Sequence, residues 1–115
     1  MDSKPKWKIE YELEIQHAFS ARANGNEGKA RVCARRAAGV IIGEYLSRRG
    51  YKRLYPSAYE RLSLFNSLPD VDEHVKVITN HFLLKVDLER KLPVDIDLID
   101  EAQSMLKILL LENTN

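Results

Sequence analysis

Residues 29 to 50, "KARVCARRAAGVIIGEYLSRRG", decide how this chain folds. Ala30, Cys33, Ala34, Ala37, Ala38, Ile41 and Tyr45 recur every three or four positions, the spacing of one helical face. Upstream, "NGNEG" (residues 24–28) is a turn by composition, and either asparagine suits an N-cap. Downstream, Arg48 and Arg49 set cations at the negative helix end, and Gly50 follows as the C-cap glycine. The pattern predicts a helix of roughly 22 residues, about 33 Å long.

The segments on either side complete the plan. Trp7, Ile9, Tyr11, Leu13 and Ile15 alternate as in a strand, yet Trp7, Tyr11, Ile15, Ala18, Phe19 and Arg22 also share one side of a helix. A helix is expected, with Ile9 and Leu13 meeting a second neighbour, because no other segment offers a strand partner. "YPSAYE" opens a short helix at Ser57, with Glu60 three residues on, running to about Ser67. "LPDVDE" repeats the device with Asp70 and Glu73, opening a helix lined by Val71, Val75, Ile78, Phe82 and Val86 that lasts to about Arg90. Pro93, Asp95 and Asp97 mark a last N-terminus, followed by Leu98, Ala102, Met105, Leu106 and Leu109 on one side. Short connections favour antiparallel neighbours, so the fold expected is all-α, an up-and-down bundle of four long helices and one short one.

A length of 115 residues fits one domain over residues 1–115, with a single core. No apolar run reaches the roughly 18 residues of a membrane span. The N-terminal "MDSKPKWKIEYELEIQ" lacks both the apolar core and the small-residue cleavage site of a secretory signal, so a cytoplasmic location is expected. The lone Cys33 and three scattered histidines supply neither a disulfide nor a metal framework, and no cofactor is expected. The net charge of +1 hides an asymmetry: residues 1–53 hold twelve Lys/Arg against six Asp/Glu, and residues 54–115 hold six against eleven. Oppositely charged helices side by side, or across a dimer, account for this, as does a basic face for an anionic partner.

Two properties are superposed on the 29–50 segment. Ala34 and Ala38 leave little bulk at closest approach, and Gly39 with Gly43 opens a second narrow surface, so another helix comes close on either side. That helix belongs either to the same subunit or to a second copy. Arg31 and Arg35 share a face, while Lys29 and Arg36 lie on the far flank. The planar forks of Arg31, Arg35 and Arg36 suit a phosphate, or equally a carboxylate of the acidic last helix. His74 and His81 are seven apart and nearly aligned, an arrangement met in sites and more commonly in solvated side chains. Cys33 has arginines nearby, but its place in the alanine stripe suits a small buried side chain. GxxxxGK[ST], GxSxG and HExxH are all missing.

With the helices placed, "ARANGNEGKARVCARRAAGVIIGEYL" (residues 21–46) resembles the junction of the first two helices in HEPN-like domains, small bundles named for nucleotide binding in higher eukaryotes and prokaryotes. The likeness extends from "AFSARA", ending the first helix, to "EAQSMLKILLL" in the last. It implies a four- or five-helix bundle, usually a homodimer, acting either as a metal-independent ribonuclease or as a noncatalytic companion of a minimal nucleotidyltransferase. The ribonucleases of the family carry Arg, four to six residues, then His. Here "KVITNH" puts Lys76 at the arginine position before His81, and the longer spacings give Val75 and His74. His74 and His17 have no arginine at the corresponding offsets, and lysine lacks the bidentate fork. The resemblance therefore implies a noncatalytic module that binds nucleotide, RNA or a partner protein, with a divergent ribonuclease, in which Lys76 and His81 pair across a dimer, as the rival.

Overall fold

The computed structural model describes residues 4–52, 54–84 and 96–111, and among them all regular structure is helical. Five α-helices follow in order: α1 (Lys6–Ala23), α2 (Glu27–Arg48), α3 (Ala58–Ser67), α4 (Glu73–Leu83) and α5 (Leu98–Leu106), with a π-helical turn, Lys107–Leu111, extending the last. The chain is an all-α bundle. Of the four helices expected to be long, α1 and α2 have 18 and 22 residues, whereas α4 and α5 have 11 and 9.

Local chemistry sets the α1/α2 boundary. Gly25 takes φ 77°, its N–H reaches the Arg22 carbonyl, and the Asn26 N–H reaches that of Ala21, the paired closure that ends a helix in a left-handed residue. Asn26 then starts the next helix, its Oδ1 accepting from the Lys29 N–H at 3.0 Å. The same closure ends α2, where Gly50 takes φ 94° and its N–H and that of Tyr51 bond to Ser47 and Leu46.

α2 is the spine. Ala30, Ala34, Ala37 and Ala38 have no exposed surface, and Ile41, Ile42 and Leu46 are equally enclosed, the burial of each of these three larger side chains worth about 1.5–3 kcal/mol. Around them pack Tyr11 and Ile15 of α1, Leu62 and Phe65 of α3, Val75 and Phe82 of α4, and Ile99 and Met105 of α5. The last helix and its π-helical turn bury Leu98, Ala102, Met105 and Leu109 as the spacing predicts, while Leu106, expected on the same side, is partly buried. On α1 the outcome differs: Ile9, Leu13 and Phe19 are 54%, 49% and 47% exposed, so this helix faces one neighbour set and its opposite side meets water.

Three contacts fix the directions. Arg48 lies over the Trp7 ring, 5.8 Å from its centroid, so α1 and α2 are antiparallel. Arg49 pairs with Asp70, and Arg35 reaches the Phe82 carbonyl, so α4 also runs against α2. α3 departs from strict alternation: Ala58 sits against Gly39 and Phe65 against Tyr45, so α3 advances in the same sense as α2. The reason is the preceding connection, which doubles back along α2 with Leu54 beside Gly43 before α3 begins.

Both ends of α4 were misplaced by sequence alone. Asp72, not Asp70, caps α4, its Oδ1 accepting from the His74 N–H at 2.7 Å, because Asp70 is taken by Arg49. The helix expected to reach Arg90 closes at Leu83, where Leu84 turns extended (ψ 141°). Val86, Arg90, Pro93 and Asp95 lie outside the described residues. Asp97 caps α5, bonding the N–H groups of Ile99 and Asp100.

Candidate functional site

The two glycines of α2 are filled from within the subunit. A methyl group at Gly39 would stand 2.6 Å from the Ala58 Cβ, and one at Gly43 would meet the Arg61 guanidinium, whose Cζ would be 3.2 Å away. Ala34 and Ala38 are wholly buried on the other side. The glycine surface is thus met within the subunit by α3, and the alanine surface by the core.

Where α3 crosses, a cavity of about 470 Å³ opens between α1, α2 and the first turn of α3. Arg35, Arg36 and Arg61 line it together. Arg35 is steadied by its Nε, which donates to the Phe82 carbonyl at 2.9 Å, near the end of α4 where carbonyls lack helical partners. Arg61 donates from Nε to the Tyr55 carbonyl and from Nη1 to the Gly39 carbonyl at 3.2 Å. Arg36 is exposed and makes no ion pair among the described residues. Ser57, Ala58 and Tyr59 bring the N-terminus of α3 to the same wall, where free N–H groups and the helix dipole favour an anion. Ser57 Oγ takes one of those donors, the Glu60 N–H, at 3.4 Å.

The wall is not uniformly basic. Glu10 and Glu14 of α1 also line it. Glu10 lies 3.8 Å from Lys6, and Glu14 Oε1 lies 3.9 Å from His17 Nδ1, too far for a hydrogen bond. That Glu14 oxygen is buried and has no hydrogen-bond partner among the described residues, although the side chain as a whole is 23% exposed.

Arg31 is not among the residues lining the cavity. Its charge falls instead on Glu27, helping to hold that carboxylate below its ordinary range. The stronger cause is Arg22, whose fork spans Glu27 and Asp97 with four bonds of 2.9–3.0 Å. The same hydrogen bonds depress Asp97 and raise Arg22. So the acidic last helix takes Arg22 through Asp97, and Arg35 and Arg36 make no ion pair with it among the described residues.

Within one subunit Lys76 and His81 are not brought together. Five residues apart on α4, they point about 140° from one another. Lys76 lies 3.8 Å from Glu73, and His81 Nδ1 contacts Glu101 Oε1 on α5. His74 is exposed, and Cys33 is 2% exposed within the core. No group of three His, Cys, Asp or Glu able to hold a metal exists among the described residues, and no described helix is long and apolar enough to cross a membrane.

Arg61, Glu10, Glu14 and Tyr59 escaped the sequence reading. The glycine pair on α2 said that something approaches closely, but only the return of the chain before α3 determines that it is Arg61. Compared with protein-family models, curated proteins and solved structures, the chain matches none.

Proposed function

We propose that this chain is a noncatalytic HEPN-like bundle that binds a nucleotide, or the phosphate of an RNA, in the cavity between α1, α2 and α3. The observation that carries this reading is the convergence of Arg35, Arg36 and Arg61 on one cavity at a helix N-terminus. Two of the three guanidinium groups are held by backbone carbonyls, which spares much of the ordering cost of binding and leaves other N–H donors for a phosphate. A volume of about 470 Å³ falls in the range of small-ligand sites, roughly 300–1,000 Å³. Arg31, first grouped with these arginines, is not part of the proposed site.

A cytoplasmic setting, a homodimer and a nucleotidyltransferase companion belong to the same proposal and rest on the resemblance. A dimer in this reading uses a face other than the Ala34–Gly43 surfaces. The exposed Ile9 and Leu13 of α1 offer one.

Thermal unfolding with nucleoside monophosphates tests the reading. A ligand at 100 times its Kd stabilises by about 2.7 kcal/mol. The melting temperature should rise for the native chain and stay unmoved for Arg36→Ala. No rise with any nucleotide, or an equal rise in the variant, contradicts the proposal. The rival ribonuclease using Lys76 and His81 requires metal-free RNA cleavage that His81→Ala abolishes; RNA is expected to stay intact.

A further inference from the structure

The cavity shares its walls with two others. Arg61, Glu10 and Val40 also line a second cavity of about 490 Å³ towards the start of α1. Arg36 also lines a third, of about 390 Å³, beside the α1/α2 turn. One stripe of α2 runs past all three: Lys29, Val32, Arg36, Val40, Gly43 and Ser47 recur every three or four residues. From Lys29 to Ser47 the helix rises about 27 Å, so the cavities form one long groove.

A guanidinium stands at each junction. Arg61 is fixed over Gly39, whose carbonyl accepts from its Nη1 at 3.2 Å, with Gly43 beside it. Arg36 lies three residues before Gly39 and seven before Gly43, roughly 5–10 Å back along the helix. Successive phosphates of a single strand, about 3.4 Å apart along a stacked axis and further when extended, span such a distance. Arg36 and Lys29 make no ion pair among the described residues.

A free nucleotide fills one cavity and leaves its neighbours open. Resting on the nucleotide reading above, we propose that the ligand is a nucleic-acid single strand, three linked nucleosides of which occupy the three cavities while the two phosphodiesters between them lie at Arg61 and Arg36. The charges of the middle cavity suit this placement. Its arginines belong to α2 and α3 and its carboxylates, Glu10 and Glu14, to α1, so the strand's backbone follows α2 and α3 and its bases turn towards α1. Glu44 of the second cavity is taken by Arg48 at 2.8 Å. Lys29 lines the third cavity beyond Arg36 and extends the positive track. Tyr59, 49% exposed on the middle cavity, offers its ring for the central base.

Calorimetric titration of the full chain with AMP, ApA, ApApA and the pentamer ApApApApA tests this. Linking the contacts should raise affinity with each nucleotide up to three, ApApA binding at least about tenfold more tightly than AMP. The pentamer should gain no more than about threefold over ApApA, the factor its additional registers supply. Lys29→Ala, an exposed position on the third cavity alone, should cut the preference for ApApA over AMP by about threefold or more. Equal binding of AMP and ApApA, with AMP binding lost in Arg36→Ala, overturns the strand and leaves the single-nucleotide site standing. A preference for ApApA that Lys29→Ala leaves unchanged also overturns the three-cavity placement. No binding of AMP or of any oligomer overturns both readings.

Discussion

Gly39 of α2 and Ala58 of α3 pack so closely that a single added methyl group at residue 39 would lie 2.6 Å from the Ala58 Cβ and 2.8 Å from its Cα. This contact sets the start of α3 against the middle of α2, and with it places Arg61 and Tyr59 at the cavity.

Gly39→Ala should therefore destabilise the fold. Overpacking of this kind costs about 1–3 kcal/mol, against roughly 1 kcal/mol gained in helix propensity, and the obstructing atoms are backbone and Cβ, which cannot swing aside. Gly43→Ala meets the far end of a flexible arginine instead, so its stability should stay within about 0.5 kcal/mol of native. Paired denaturant midpoints check the contrast. Equal effects would show that α3 is not seated on Gly39.

The glycine pair also shows how far sequence carries. Caps and periodicity are local, so the extent of α2 was legible: of the two asparagines left open Asn26 is the cap, and Gly50 closes the helix. The start of α4 was less legible, because two aspartates compete for one cap and the choice turns on Arg49, a residue distant in sequence. The end of α4 at Leu83 has no breaker to announce it. At the site, Arg35 and Arg36 were named from their letters, but Arg35 is fixed by a carbonyl on α4, which no side-chain pattern encodes. Arg61 depends on the unexpected direction of α3.

Asp97 serves two purposes, capping α5 and pairing with Arg22. Asp97→Asn keeps the cap and loses the charge, whereas Asp97→Ala loses both, so the alanine variant should be less stable by about 1 kcal/mol more. Arg22, Glu27 and Asp97 are each more than a third exposed, and solvent screening keeps the ion pairs below about 1 kcal/mol. Arg22 holds both carboxylates below their ordinary values of 4.5 and 3.8. Their contribution is present above those values and is lost as pH falls below them. Arg22→Ala should flatten the acid limb of the stability profile between neutral pH and pH about 3. An unchanged limb would assign acid sensitivity to other groups.

Tyr11 gives the opposite slope. It is 5% exposed, and burial, with the neighbouring Glu12 charge, pushes its phenol up from 10.0 to about 12. Its raised value means that stability is complete below the unfolded value and falls as pH climbs through the folded one. Tyr11→Phe should remove this alkaline loss. Ultraviolet titration of the phenolates checks it, with one late-ionising group absent from the variant spectrum.

The most direct test of a nucleotide site in the α1/α2/α3 cavity is a heteronuclear NMR titration of the uniformly labelled chain with AMP. Saturable amide shifts should cluster at Arg36, Gly39, Ala58 and Tyr59, and vanish in Arg36→Ala. Shifts confined to other faces, or none at millimolar AMP, would contradict the account.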